Sequence, residues 1–161
     1  MRALLKAANI DAQNLDADGV SFQLGPRLNA TGRLADAALS VELLTTADEA
    51  RANDIAAQIE QLNTERRALQ KTIEGQAIEL LERDPQIALQ PVVVLHAPDW
   101  PTSVIGIVAS SLSDRFHKPA IMISVRPGEI GRASARSVDG VDIHAAIEAT
   151  GDLTVGGGGH P

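Results

Sequence analysis

The sequence contains no cysteine and no tyrosine, and aromatic residues make up only 2% of its 161 positions. The lack of cysteine excludes disulfide bonds, thiolate metal ligands and a thiol nucleophile. No uninterrupted apolar run is long enough to span a bilayer, and the first ten residues are too short and mixed for a signal peptide. The default expectation is therefore a cytoplasmic protein without a membrane partner.

Apolar residues nevertheless make up 44% of the chain, enough for a core of alanine, leucine and isoleucine. The formal net charge of −7 argues at first against a nucleic-acid partner. The distribution of charge matters more, because phosphate contacts need only a basic face. Between positions 115 and 136 a single acid, Glu129, stands against five basic residues: Arg115, Lys118, Arg126, Arg132 and Arg136.

Residues 131–137 (GRASARS) alternate in the way a strand does, so that Arg132, Ser134 and Arg136 share one face. Guanidinium groups and a hydroxyl on one face suit a phosphate. Glycines 156–159 offer bare backbone N–H groups to an anion and lead into His160. The alternatives are a solvated edge strand and a flexible glycine tail.

The first half of the chain predicts a helix at 2–10, a short extended segment at 20–24 and an irregular loop at 25–34. Arg27, Asn29 and Arg33 lie on that loop. A helix is predicted at 36–44. Thr46 and Glu49 then have the capping-box spacing, which predicts a single helix running to about Arg83.

In this long helix, positions 55, 59, 62, 66, 69, 73, 76 and 80 follow a four-three spacing and are apolar except Arg66 and Gln76. Such a helix bridges two lobes or forms a coiled coil. Arg66 and Gln76 interrupt this apolar row of the helix, its seam, and this argues against a strong coiled coil. The polar interval 63–67 is a candidate position for an interdomain cleft. From these residues alone, a solvated helix face is the favoured interpretation.

The second half predicts an α/β lobe in which helices pack on a mixed sheet. The strand at 91–95 is expected to be buried on both faces because its apolar run is continuous. The remaining predictions are a helix at 104–116, strands at 120–125 and 130–138 joined by a turn at Pro127-Gly128, and a helix at 142–149.

A series of segments resembles the RecJ single-strand-specific exonucleases, members of the DHH phosphoesterase superfamily. Residues 22–34 (FQLGPRLNATGRL) are similar to the segment joining the two lobes of that family, and residues 41–44 and 63–67 resemble its connecting helices. Residues 104–110 (VIGIVAS), 131–137 and 157–160 (GGGH) resemble its second lobe, called DHHA1.

The fold implied by the resemblance is α/β: a DHHA1-like lobe with a mixed sheet flanked by helices, preceded by a long bridging helix and a short remnant of the first lobe. The implied boundaries are 1–45 for the remnant of the DHH lobe and the inter-lobe loop, 46–84 for the connecting helix, and 85–161 for a DHHA1-like nucleic-acid-binding domain truncated at its C-terminus.

The implied function is part of an exonuclease that degrades single-stranded DNA from its 5′ end, in DNA repair and recombination. The catalysis it implies is metal-dependent phosphodiester hydrolysis, in which Mn²⁺ or Mg²⁺ held by an Asp-His-His lobe would activate water. This sequence has no Asp-His-His, so we expect no cofactor in this chain and no nuclease activity from it alone. The implied partners are single-stranded DNA and, for the full-length enzyme, a single-stranded-DNA-binding protein, and the chain is expected to be a monomer.

The resemblance assigns His160 to catalysis, as the residue that contacts the scissile phosphate. Ser134 and Arg136 match the positions that grip the 5′-terminal phosphate. The phosphate- and nucleic-acid-binding residues it implies are Arg27, Arg33, Arg132, Ser134, Arg136, Ser137, Gly158 and Gly159. One departure is Trp100-Pro101-Thr102-Ser103, where the family commonly has Trp-His-x-Gly.

Two other functions stay open. One is a DHH-family phosphodiesterase acting on short oligonucleotides or cyclic dinucleotides, which would not be expected to carry the 25–29 (GPRLN) segment and the long helix. The other is a non-catalytic nucleic-acid-binding or dimerising module built on that helix. A KH-type interpretation of the 128–131 (GEIG) segment has little weight, since it lies between strands and carries an acid.

Overall fold

The computed structural model describes residues 1–159, which fall into two compact units, 1–69 and 70 onward. The first unit contains helices α1 (Arg2–Ala7), α2 (Ala17–Gly19), α3 (Gly25–Leu34), α4 (Ala38–Thr45) and the beginning of α5 (Glu49–Arg83). The second contains the rest of α5, helices α6 (Pro85–Leu89), α7 (Thr102–Phe116) and α8 (Ile143–Glu148), and strands β1 (Val93–Ala97), β2 (Ala120–Ser124) and β3 (Arg132–Arg136). None of the described helices is long and apolar enough to cross a membrane.

Residues 20–34 are helical, so the predicted extended segment and irregular loop are wrong. Val20–Leu24 form a π-helical turn that runs directly into α3. Pro26 stands in the first turn of α3, at the junction with this π-helical turn, and the helix continues through it. The alternation of Val20, Phe22 and Leu24 suggested a strand, but Phe22 is 77% exposed and only Leu24 is buried.

The core of residues 1–69 forms where helices α1, α4 and α5 and the turn before α3 meet. Its buried members are Leu4, Leu5, Leu24, Leu43, Ile55, Ala56 and Ile59. Leu and Ile predominate, as the scarcity of aromatics predicts. Ile55 and Ile59 lie one helical turn apart on α5, which fixes the face that this helix turns inward.

Helix α5 begins at Glu49, and its cap is Asp48 rather than the predicted Thr46. The Asp48 carboxylate accepts a hydrogen bond from the Arg51 backbone N–H at 3.2 Å, the standard N-cap bond. Thr46 instead accepts from the Asp48 N–H at 3.2 Å, in the connection from α4. The single helix to Arg83 is confirmed.

The buried positions of α5 depart from the predicted seam. In the second unit they are Ile73, Ala77 and Leu81, spaced by four, as in a straight helix. In the first unit part of the polar interval is buried: Asn63 is 1% exposed and Arg66 is 7% exposed. Arg66 Nη2 donates to Asn63 Oδ1 at 3.1 Å. A solvated helix face is therefore wrong for these two residues, and the interdomain cleft at 63–67 stays a prediction.

Burial lowers the pKa of the Arg66 guanidinium, and the neighbouring positive charges of Arg67, Arg33 and Arg27 lower it further. Arg66 therefore lies near three other arginines of residues 1–69. Arg33 itself is exposed on α3.

In the second unit the three strands form a mixed sheet in the order β1-β2-β3. Strands β1 and β2 are parallel and are joined through α7, whereas β2 and β3 are antiparallel and are joined by a hairpin in which Gly128 has a φ of +80°. Val93 and Leu95 of β1 are buried, but Val94 is 43% exposed. The sheet is therefore covered on one face at β1, and the prediction of burial on both faces is wrong.

Arg27, which the sequence assigned to nucleic-acid contact, is directed at partners within its own unit. Its Nε lies 2.6 Å from Glu60 Oε2, its Nη2 donates to Glu60 Oε1 at 3.3 Å, and its Nη1 donates to the Gln23 carbonyl at 2.7 Å. The Arg27 side chain is 12% exposed and that of Glu60 is 27% exposed. This pair ties α3 to α5.

Replacing Arg27 by alanine should lower the free energy of unfolding by about 1–3 kcal/mol, because it leaves a half-buried Glu60 carboxylate without its hydrogen-bonded partner. Urea unfolding followed by circular dichroism measures this. Arg67→Ala is the matched control: Arg67 is exposed on α5, and its loss should change stability by no more than about 0.5 kcal/mol. Equal effects of the two substitutions would contradict the structural role of Arg27.

Candidate functional site

The polar residues of β3 lie on one face, as their alternation predicted. In the antiparallel register, Arg136 stands opposite Ala120, Ser134 opposite Met122 and Arg132 opposite Ser124. Residues directly opposite each other in such a pair point to the same side of the sheet. Ala120 and Met122 are fully buried, so the three polar side chains emerge on the core side, the side on which α7 packs.

Two of these side chains meet at Gly106 of α7. A Cβ atom placed on Gly106 would lie 3.2 Å from Arg136 Nη2 and 3.3 Å from Ser134 Oγ. Because both polar atoms lie so near one point, they are no more than about 6.5 Å apart. A side chain at position 106 would occupy the space that the guanidinium and the hydroxyl share.

The hydrogen-bond donors beside Gly106 are not paired with acidic side chains of the described residues. Arg136 Nη1 donates to the Ala135 carbonyl at 2.6 Å, which orients the guanidinium while its Nη2 faces Gly106. Within residues 1–159, neither Arg132 nor Arg136 forms an ion pair. Ser134 is half-buried, and its hydroxyl has no hydrogen-bond partner in the described part of the chain.

Ser137 belongs to the support of the strand rather than to this face. Its hydroxyl donates to the Val141 carbonyl in the turn before α8. The buried Ser113 of α7 donates to the Ser137 backbone carbonyl at 3.1 Å. This second bond fixes the chain to α7 one residue beyond Arg136, the last residue of β3.

Sequence reasoning overlooked two residues that support the site, Gly106 and Ser113, and the partner of Trp100, Gln76. A glycine within a helical pattern often marks a close packing contact, and that was the available signal for Gly106. Gln76 interrupts an apolar seam in the sequence, and its Oε1 accepts a hydrogen bond from the buried Trp100 Nε1 at 2.8 Å. Ser113 had no distinguishing signal.

The remaining predicted site residues are not brought to this point by any described contact. Arg27 and Arg33 lie on α3 in residues 1–69. Gly158 and Gly159 are exposed, and a Cβ on Gly159 would lie 3.6 Å from the His144 ring. His160 lies outside the described residues, so its role stays a prediction.

The described residues contain no cluster of three or more histidine, aspartate or glutamate side chains that could hold a metal ion. The donor set in this part of the chain thus does not fit the Mn²⁺ or Mg²⁺ that the resemblance implies for the family. What the β3 face offers is cationic and neutral hydrogen-bond donors, which suit an anion.

Comparison with known proteins agrees with this architecture. The family model described as "DHHA1 domain" matches residues 89–161. The single-stranded-DNA-specific exonuclease RecJ of Bacillus subtilis is 37% identical over 162 residues, which is 100% of this chain and 20% of that protein. RecJ of Escherichia coli is 34% identical over 158 residues, covering 97% of this chain and 27% of that protein.

Solved structures match the same extent of chain. RecJ from Thermus thermophilus in complex with Mn²⁺ aligns with a TM-score of 0.83 and 28% identity, over 99% of this chain and 22% of that one. A second structure, an exonuclease RecJ bound to manganese, gives a TM-score of 0.75 and 28% identity, and covers 97% of this chain and 38% of that one. The chain therefore spans a fifth to about two fifths of the length of these relatives, and the predicted α/β class with a mixed, helix-flanked sheet is confirmed. In sequence and in structure, the chain is related to the RecJ exonucleases and corresponds to the region of them that contains the DHHA1 domain.

Proposed function

We propose that this chain is the part of a 5′-to-3′ single-stranded-DNA exonuclease that holds the 5′-terminal phosphate, with Ser134 and Arg136 as the principal donors. The observation that carries the proposal is the convergence of Arg136 Nη2 and Ser134 Oγ above Gly106. The relation to RecJ supplies the substrate class, since those relatives are named for single-stranded DNA. In this proposal residues 1–45 are the remnant of a first lobe, 46–84 the connecting helix and 85–161 the phosphate-binding domain.

The geometry suits a single phosphate. Charge-assisted hydrogen bonds are about 2.8 Å long, so a phosphate that accepts one bond at each of two oxygens bridges donors up to roughly 8 Å apart. The Arg136 and Ser134 atoms lie within that limit. A terminal phosphate also carries more negative charge than an internal diester, so a guanidinium not paired with a carboxylate favours a strand end.

We call Ser134 and Arg136 the anchor, because in this proposal they fix the 5′ end of the DNA relative to the catalytic centre of the nuclease. If the 5′ phosphate is fixed on β3, the distance from the strand end to the bond placed at the catalytic centre is set by the protein. His160, Gly158 and Gly159 are the residues we propose to contact that second, scissile phosphate. Arg33, which is exposed on α3, is proposed to lie along the path of the DNA.

Replacing Arg136 by alanine should weaken binding of thymidine 5′-monophosphate to this chain roughly tenfold or more, because a hydrogen bond to a charged group contributes about 1.5–3 kcal/mol. A titration followed by NMR chemical shifts measures the dissociation constant even when binding is weak. Thymidine, which lacks the phosphate, is the ligand control. Arg115→Ala is the matched protein control, since Arg115 lies against the Phe116 ring at the other end of α7. Unchanged affinity in Arg136→Ala would refute the anchor.

Replacing Gly106 by alanine should weaken the same binding severalfold, because its methyl group would press on Arg136 Nη2 and Ser134 Oγ and displacements well below 1 Å already matter at such sites. Gly75→Ala on α5 is the control, because a Cβ there meets nothing within 4 Å. Both substitutions favour helix formation, so a loss of affinity confined to Gly106→Ala separates positioning from stability. Equal affinities of the two variants would count against the shared space at Gly106.

The chain by itself is proposed to lack nuclease activity, since the metal-binding lobe of the family is not represented in its sequence. Incubation of the purified 161 residues with 5′-labelled single-stranded DNA and Mn²⁺ should leave the DNA at full length. Mn²⁺-dependent shortening that survives further purification of the chain would show that hydrolysis does not require that lobe.

A further inference from the structure

A polar cleft of about 360 Å³ lies in the second unit, at the carboxyl ends of the parallel strands β1 and β2. Its walls are the segment that leads from β1 into α7, the end of β2 and the β2–β3 hairpin. The polar residues that line it are Asp99, Thr102, Ser124, Arg126, Glu129 and Arg132. Open α/β sheets bind ligands just outside the carboxyl ends of their strands, so the position itself is one where ligands are found.

The charges in this cleft are not neutralised by one another. Its two arginines and two carboxylates form no ion pair within 4 Å among residues 1–159. The guanidinium groups of Arg126 and Arg132 are therefore available to an anion. The nearby Asp99 and Glu129 offset their charge, so an isolated phosphate ion has little electrostatic reason to collect here.

The cleft continues directly from the proposed anchor. Arg132 belongs to the same face of β3 as Ser134, two residues along the strand, a separation of roughly 7 Å. A strand whose 5′ phosphate sits at Ser134 and Arg136 can therefore present its next phosphate to Arg132. Arg126, from the other side of the hairpin, shares the cleft with Arg132.

We propose that this cleft is a second nucleotide subsite, in which Arg126 and Arg132 hold the first internal phosphodiester of the anchored strand. The inference rests on the proposed function, because the anchor is what delivers the second phosphate. Tethering makes the second contact intramolecular, and this raises its effective concentration enough to overcome the offsetting carboxylates. Arg126 is the residue that this proposal adds to the DNA-binding face.

The test compares thymidine 5′-monophosphate with 5′-phosphorylated dithymidylate on the wild-type chain and on Arg126→Gln. The wild-type chain should bind the dinucleotide about three- to tenfold more tightly than the mononucleotide. Arg126→Gln should lose most of that gain and retain the mononucleotide affinity. The salt dependence of dinucleotide binding should also fall, by about one unit of log–log slope. Arg115→Gln, with the same loss of charge away from the cleft, should keep the full gain.

A second readout does not depend on any variant. Backbone amide shifts at Arg126 and Glu129 should move with the dinucleotide and stay unchanged with the mononucleotide. The subsite is overturned if wild-type protein binds the two ligands equally, or if Arg126→Gln keeps the gain. In either case the anchor stands as long as mononucleotide binding requires Arg136. Failure of the wild-type chain to bind either ligand would instead overturn the anchor, and the subsite with it.

Discussion

The close approach of α7 to β3 at Gly106 is the constraint on which the rest of the proposed phosphate-binding face depends. A glycine in the middle of a helix costs about 0.5–1 kcal/mol relative to alanine, so its presence needs a compensating reason. The structure supplies one: Arg136 Nη2 and Ser134 Oγ occupy the space that a side chain at 106 would fill. The apolar residues around Gly106, among them Val104, Ile105 and Val108, are fully or almost fully buried and hold the helix at that distance.

The site is built on regular elements rather than on mobile loops. Strand β3 is hydrogen-bonded to β2 along its length, and Ser113 fixes its end to α7 through the Ser137 carbonyl. Side-chain donors on a strand that packs against a helix keep their geometry better than donors on loops. The alternative interpretation of β3 was a solvated edge strand. The direction of its side chains argues against this, because Ser134 and Arg136 turn towards α7 and not away from the domain.

The sequence predicted the second unit well because its signals are local and strong. Apolar runs, the Pro127-Gly128 turn and the 3.6-residue pattern of α7 define strand, helix and hairpin independently of the rest of the chain. The prediction for residues 20–34 was wrong for two reasons. A short apolar alternation fits a helix and a strand equally, and Gly25-Pro26 is acceptable at the beginning of a helix as well as in a turn. The neighbouring helices decide between these possibilities, through burial of Leu24.

In the candidate site, too, some features could be predicted from the sequence and others could not. The shared face of Arg132, Ser134 and Arg136 follows from strand alternation alone. The partners of those residues do not, because Gly106, Ser113 and the cleft residue Arg126 come from other elements and meet β3 only in the folded domain. Likewise, no sequence pattern indicates that Arg27 is engaged by Glu60, 33 positions away.

A crystal structure of this chain with thymidine 5′-monophosphate tests the central claim most directly. We predict that the phosphate lies above Gly106, within hydrogen-bonding distance of both Arg136 Nη2 and Ser134 Oγ. A fully occupied nucleotide whose phosphate lies elsewhere on the domain, with Arg136 and Ser134 left uncontacted, would contradict it.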